Sequence, residues 1–279
     1  MNLLDRVSEL VREHSGLHLD VVMRTRLVRA LEQARQPSED DHGLLSRLRA
    51  DPLVRQALYD ELTVQETSFF RDAAQFDGLA RTVLPLLPDP VVLWSAGCSN
   101  GQEAWSLAMV LVESGRRGQV VATDLSERAL ARTREGRYAE RELRGLSAER
   151  RARWLVREGS GPGATYVVAP ALRGLVEVRR QNLAADVPPV PRASVIFCRN
   201  VLIYFGRDDV VRAVRRFHEV LPPEGWLFLG FSETLWTLTE AFTSVRLGEA
   251  YAYRPTGDAF SARTAAAAQG RGCGVDPLA

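Results

Sequence analysis

Gly97 and Gly101, in the segment WSAGCSNGQEAWSLAMVL (94–111), mark the passage from an apolar run, VVLWSAG (91–97), into an amphipathic stretch at about 102–113. A glycine turn between a buried strand and its helix exposes backbone N–H groups at the strand's C-terminal end, where doubly wound sheets bind ligands. Asp124 closes the next apolar run, QVVATD (119–124), and a carboxylate there can accept from both ribose hydroxyls of a nucleoside. The two glycines alone are equally explained by a turn kept for packing, and Asp124 alone by a helix cap; together they favour a ligand. The spacing is GxxxG rather than the GxGxxG that lets backbone approach a pyrophosphate, and Glu103 follows at once. A carboxylate there repels a diphosphate and suits an amino group. A nucleoside with an α-amino group and no phosphate is therefore expected, and S-adenosylmethionine is such a cofactor. A dinucleotide-dependent dehydrogenase is the weakest reading.

Composition removes several other chemistries. All 36 basic residues are arginine, so a phosphate-binding loop ending in Lys, a Schiff-base lysine and a Ser-Lys dyad are excluded. The net charge of +1 points to neither nucleic acid nor an anionic membrane surface. Cys98, Cys198 and Cys273 lie far apart with no CxxC pair, which suits reduced thiols, and none of the four histidines (His14, His18, His42, His218) has HExxH spacing, so no metal site is expected. The opening MNLLDRVSEL lacks a long apolar core, and the apolar stretch near residue 90 is interrupted by Pro85, Pro88 and Pro90. A soluble cytoplasmic protein without signal peptide or membrane insertion is expected.

Two characters alternate along the chain. Residues 3–14 carry Leu3, Leu4, Val7, Leu10 and Val11 at helical spacing, ended by Gly16. A second helix is expected at about 20–35 with Val21, Val22, Leu27, Val28 and Leu31 inward, and shorter helices over 41–62. From residue 91 apolar runs alternate with amphipathic helices: a helix opened by Ser126, then VEVRRQNL (176–183), SVIFCRN (194–200), a helix from Asp208 to Leu221, and GWLFLGF (225–231). AFTSVRLGEAYAYR (241–254) reads as an antiparallel hairpin at the sheet's edge. The fold expected is α/β: a mainly parallel doubly wound sheet with a C-terminal antiparallel hairpin, plus an N-terminal all-helical domain. The expected boundaries are 1–62 for the helical domain and 63–255 for the catalytic one, with a small β-subdomain at about 154–178 around a GSGPGA loop. The tail 256–279, small and polar, is expected to be disordered.

Four motifs in order carry a family resemblance over about residues 1 to 254. They are LTVQETSFFRD (62–72), WSAGCSNGQEAWSLAM, VIFCRNVLIYF (195–205) and LPPEGWLFLGFSETL (221–235). The chain resembles the chemotaxis receptor (methyl-accepting chemotaxis protein) glutamate O-methyltransferase family, CheR-type, whose fold is the Rossmann-like S-adenosylmethionine-dependent methyltransferase fold. The resemblance implies that Gln65, Thr67 and Arg71, in the linker 63–72, contact S-adenosylmethionine, with Arg71 toward the carboxylates at the reacting end. It implies that Glu103 holds the cofactor's amino group and Asp124 its ribose, with Ala96 and Gly97 beside them. Asn182 and Leu183 would flank the adenine, Arg199 and Asn200 would line the methionine end, and Tyr204 would stand beside the methyl group. Tyr204 considered without its motif reads as an aromatic packed in a core.

The departures are specific. The family's Asn is Gln65 here, the first of two glutamates is Gln102, Pro and Tyr are Ala104 and Trp105, and Phe231 stands where His is common. The implied reaction converts receptor glutamates to methyl esters, with release of S-adenosylhomocysteine. The implied partner surface is the basic helix bearing Arg24, Arg26, Arg29 and Arg35, which do not fall on one clean face. A monomer is expected, acting without nucleic acid and without a receptor C-terminal peptide. A methyltransferase on another acceptor and a catalytically silent adaptor remain the alternatives.

Overall fold

A computed structural model describes residues 2–257, 260 and 261. The remainder of the tail expected to be disordered, Cys273 included, lies outside the described residues; Thr256 itself donates its N–H to the Ala241 carbonyl at 3.0 Å.

Four helices open the chain: α1 (Leu3–Ser15), α2 (Val21–Ala34), α3 (Asp41–Ala50) and α4 (Pro52–Leu62). Local chemistry sets their ends. The Asn2 side chain accepts from the Asp5 N–H at the start of α1, and Gly16 takes a left-handed conformation after it. Asp20 accepts from the Met23 N–H and starts α2 at Val21. The helix's buried face is Met23, Leu27, Ala30 and Leu31. The expectation that Val21, Val22 and Val28 point inward is therefore wrong. They are 82%, 60% and 42% exposed, because the 3.6-residue period running from Met23 through Leu27 and Leu31 leaves them off the packed stripe.

After α5 (Ala73–Gly78) the chain enters a seven-stranded sheet built from β1 (Val91–Ala96), β2 (Gly118–Asp124), β6 (Val176–Arg180), β7 (Val195–Cys198), β8 (Trp226–Leu229), β9 (Phe242–Leu247) and β10 (Ala250–Pro255). Its order is β6-β2-β1-β7-β8-β10-β9. The first five strands are parallel, and β10 runs antiparallel to both β8 and β9. Helices α6 (Gln102–Glu113), α7 (Glu127–Glu135) and α10 (Arg207–Val220) follow β1, β2 and β7. Two apolar cores result. One includes Leu93, Leu107 and Phe197, the other Trp94, Ile196 and Phe217.

Between α7 and β6 lies a second sheet of order β3-β5-β4: β3 (Arg137–Ala139), β4 (Leu155–Glu158) and β5 (Thr165–Val168), with α8 (Ala148–Trp154) before β4 and α9 (Pro170–Arg173) after β5. The expected insert at 154–178 thus begins earlier, with a three-residue strand too short to show a period, and ends earlier, since Val176–Arg180 joins the main sheet. The Tyr138 hydroxyl donates to the Asn100 carbonyl at 2.7 Å, tying this subdomain to the turn after β1.

Candidate active site

The sheet order reverses between β2-β1 and β7, so the turns leaving β1 and β7 diverge and open a crevice at their C-terminal ends. Register brings four chain segments to one level. Ala96 pairs with Thr123, and Asp124 with Arg180, so Gly97, Asp124 and Gln181 emerge together, with Arg199 one strand further on. Gly97 is required there for two reasons. Its φ is +87°, and a Cβ would lie 2.4 Å from Val201 Cγ2. Gly101, at φ +91°, is likewise pressed against Thr133. The packing explanation of these glycines holds: close packing makes the turn, and Gly97 in that turn borders the crevice.

The crevice is a cavity of about 320 Å³, of a size suited to a small molecule. It brings together Gln65, Thr67, Arg71, Gly97, Glu103, Asp124, Asn182, Leu183, Arg199, Asn200 and Tyr204. Ala96, fully buried in the core behind β1, is the one expected site residue outside its lining.

Several of these side chains are held by named partners. Glu103, in the first turn of α6, accepts from the Ser95 hydroxyl at 2.7 Å and from Arg199 Nε at 2.8 Å. A carboxylate offers about four lone-pair positions, so capacity for a cationic donor remains. Arg199 also donates to the Arg71 carbonyl at 2.6 Å and to the Gln75 amide oxygen at 3.0 Å, which fixes the linker onto β7. Asp124 accepts from the N–H groups of Ser99 (2.8 Å) and Ser126 (2.9 Å). Burial pushes its carboxyl above the usual carboxylate range, partly countered by those backbone donors. Gln65 accepts from the Ser99 hydroxyl at 2.7 Å and donates to Thr63 Oγ1 at 2.9 Å. The longer amide therefore staples the linker to the β1–α6 turn. Asn182 gives its side-chain amide to the His14 carbonyl at 2.7 Å, joining the turn after β6 to the helical module. Burial, then the Asp20 charge, raises the Tyr204 phenol further above neutrality, so it stays protonated. Burial also pushes the Cys98 and Cys198 thiols up, which makes them packing residues.

Several lining residues were not among those expected, three of them informative. Leu17 and Met23, from the helical module, and Gln181 also line the cavity. Leu17 sits in a turn with no periodic signal, and Met23 reads only as core. The turn is seated on the site by a bridge between Leu17 and Phe205 and by the His18 N–H donating to the Tyr204 carbonyl at 2.7 Å.

The lining has a definite ligand preference. Three carboxylates, Glu66, Glu103 and Asp124, line it with Arg71 and Arg199, beside two buried amide oxygens, Asn200 Oδ1 and Gln181 Oε1, which have no hydrogen-bond partner among the described residues. These acceptors fit the ammonium, ribose hydroxyls and exocyclic amine of S-adenosylmethionine, and the arginines its carboxylate.

Comparison with known proteins agrees. Residues 65–250 match the family model described as CheR methyltransferase, SAM binding domain. The chain belongs to the CheR methyltransferase family. It is an S-adenosylmethionine-dependent methyltransferase of the chemotaxis system. It is 34% identical over 255 residues to chemotaxis protein methyltransferase Cher2 of Pseudomonas putida, covering 86% of this chain and 91% of that one. It is 37% identical over 215 residues to chemotaxis protein methyltransferase 1 of Pseudomonas aeruginosa (72% and 77% covered), and 32% identical over 255 residues to the chemotaxis protein methyltransferase of Escherichia coli (85% and 86%). No helix among the described residues of this CheR-family chain is long and apolar enough to cross a membrane.

The four arginines of α2 are not equivalent. Arg24 pairs with Asp5 at 2.7 Å and Arg35 with Asp41 at 2.6 Å. Arg26 donates to the Thr63 carbonyl at 3.3 Å, and Arg29 is exposed. These last two, with Arg128, line an open groove that shares Thr63, Val64, Gln65 and Glu66 with the cofactor cavity.

Proposed function

We propose that this enzyme transfers the methyl group of S-adenosylmethionine to glutamate side chains of a chemoreceptor, forming methyl esters, and that it does so as a cytoplasmic monomer. One observation supports the choice of acceptor, the match of residues 65–250 to the CheR methyltransferase family model, and the chemistry agrees with it. An amine or hydroxyl acceptor needs a base to remove its proton, whereas a glutamate carboxylate is already ionised.

The bound cofactor supplies a methyl group activated by a sulfonium. This chain's own residues bind and place. Glu103 receives the amino group and Asp124 the ribose hydroxyls. Gln65 and Thr67 close the linker over the nucleoside, Gly97 leaves room for it, and Asn182 and Leu183 flank the base. Arg199 and Asn200 border the methionine end. Arg71 orients the incoming carboxylate, and Tyr204 fixes geometry at the methyl without moving a proton. An anion and a cation neutralise each other in this displacement, so a closed, water-poor chamber accelerates it through placement and desolvation.

Residues 1–62 form the receptor-facing module and residues 63–255 the catalytic one. The groove of Arg26, Arg29 and Arg128 is the route by which an acidic methylation helix reaches the chamber. Arg24 and Arg35, paired with Asp5 and Asp41, contribute less, and Arg128 is itself paired with Glu61, so Arg26 and Arg29 carry most of the groove's free positive charge.

The test is transfer of radiolabelled methyl onto purified receptor cytoplasmic fragments, read as base-labile methanol. Tyr204→Phe and Arg71→Ala should each lower kcat by roughly 10- to 100-fold, the range expected for misplacement of reacting groups. Wild-type turnover in both would remove the catalytic assignment. Label on RNA alone would remove the acceptor, and no label with intact cofactor binding would leave an adaptor.

A further inference from the structure

Glu233 lies in the turn after β8, within GFSETL (230–235), and its residue surface is 9% exposed. Five backbone N–H groups converge on its carboxylate. Oε2 accepts from Gly230 at 2.7 Å and Asn200 at 2.8 Å. Oε1 accepts from Val201 at 2.9 Å, Leu202 at 2.8 Å and Ile203 at 3.3 Å. Four of these donors are consecutive, 200 to 203, so the turn after β7 forms a concave nest of N–H groups of the kind that binds anions. Here the anion is the protein's own.

The nest has an unusual backbone. Asn200 sits at φ +57°, a left-handed conformation that a non-glycine residue holds only when its surroundings impose it. Gly230 makes the approach possible, since a Cβ there would lie 2.8 Å from the Asn200 nitrogen. Arg199, just before the nest, is anchored separately by Glu103 and Gln75. The Asn200 and Tyr204 side chains have no such bond among the described residues, and Asn200 Oδ1 has no partner among them. The Tyr204 backbone is held from two sides, by its N–H donating to Val201 (3.2 Å) within the nest and by its carbonyl accepting from His18 (2.7 Å) outside it. Where the Asn200 amide stands thus depends on the backbone that Glu233 holds, and where the Tyr204 ring stands depends on it in part.

We propose that Glu233 is a positioning residue for methyl transfer, clipping residues 200–203 into the one conformation that presents Asn200 and Tyr204 to the reacting end of the cavity. This rests on the reading of Tyr204 as the residue beside the methyl group.

Glu233→Gln keeps the size of the side chain but turns one acceptor oxygen into an N–H₂ donor facing N–H groups. Glu233→Asp keeps the charge and withdraws it by one methylene. Both are measured for kcat and KM on receptor fragment, for S-adenosylmethionine affinity by calorimetry, and for thermal unfolding, with kcat normalised to cofactor-binding sites. Glu233→Gln should lose about 100-fold in kcat, the scale of a misplacement near 1 Å, while cofactor affinity changes less than about threefold because Glu103 and Asp124 stand on other turns. Glu233→Asp should fall between Gln and wild type. Placed in a Tyr204→Phe background, Glu233→Gln should cost less than about threefold more, because the two changes damage one unit.

A kcat within threefold of wild type for Glu233→Gln would overturn the proposal, as would losses that multiply in full in the double variant when Tyr204→Phe is itself slow; a lower melting point with unchanged kcat per site means a fold staple only and does the same. If Glu233→Gln fails to fold, Glu233→Asp is judged by these criteria. Wild-type turnover in Tyr204→Phe beside a slow Glu233→Gln sinks the Tyr204 assignment and leaves Glu233 acting through Asn200, whereas the reverse pattern sinks Glu233 alone.

Discussion

Glu103→Gln separates the ion pair that this carboxylate makes with Arg199 from the cofactor contact proposed for it. Arg199 has 2% of its side chain exposed and Glu103 9%, with Nε and Oε2 2.8 Å apart. Removing one partner of a buried ion pair leaves an uncompensated charge, at a cost of about 3–5 kcal/mol. Arg199 keeps the Arg71 carbonyl, the Gln75 amide and the half-exposed Asp72 at 3.4 Å, which argues for the lower end, about 3 kcal/mol. At about 2–4 °C per kcal/mol for a chain of this size, the melting temperature should fall by roughly 6–12 °C. The second job is binding. Losing a hydrogen bond between carboxylate and ammonium removes about 1.5–3 kcal/mol, so Kd for S-adenosylmethionine should rise about 10- to 100-fold. Scanning calorimetry reads the first effect and titration calorimetry the second. Glu103→Gln/Arg199→Met supplies the control: with no orphan charge it should be more stable than Glu103→Gln alone, yet bind cofactor no better. A melting temperature within about 2 °C of wild type, or a Kd within threefold, would refute the corresponding half of this reasoning.

Cofactor affinity should weaken on acidification through the Asp124 pKa, which burial sets above 3.8, because only the carboxylate accepts from both ribose hydroxyls; titration calorimetry between neutral pH and about pH 4.5 checks this. The sign for the empty protein is opposite. A raised folded pKa favours the protonated folded state, so this group's stabilisation is present at low pH and is lost as pH rises through the folded value; Asp124→Asn should flatten both trends. Gly97→Ala should destabilise by about 2 kcal/mol or more in urea unfolding, since it combines a left-handed backbone with a Cβ 2.4 Å from Val201.

Sequence reading worked where a local signal had a local cause. The helix at 102–113 was bounded by a glycine turn before it and a polar Glu113-Ser114-Gly115 end after it, and the structure starts and stops it there. Strands β1 and β2 were continuous apolar runs, as buried parallel strands are. It failed where tertiary context decides. Valines on both sides of α2 made its inward face ambiguous. β3, three residues long, carries no period. The carboxylate of Glu103 was legible as a ligand for an amine, but its pairing with Arg199, 96 positions away, was not. Gln65 read as a cofactor contact, whereas its bond to Ser99 also makes it a clasp between linker and turn. Leu17 and Met23 gave no sign of belonging to the site, since only the docking of α1 and α2 against the Tyr204 segment brings them there.

That docking means the helices ahead of the catalytic module are a wall of the cofactor's room and no mere handle for the substrate. Leu17, in the turn before α2, and Met23, in its first turn, line the cavity from inside, while Arg26 and Arg29, further along α2, line the groove outside. On the proposed reading, a receptor helix leaning on one side and a nucleoside filling the other load a single partition. By thermodynamic reciprocity, whatever factor the first adds to the grip on the second, the second returns.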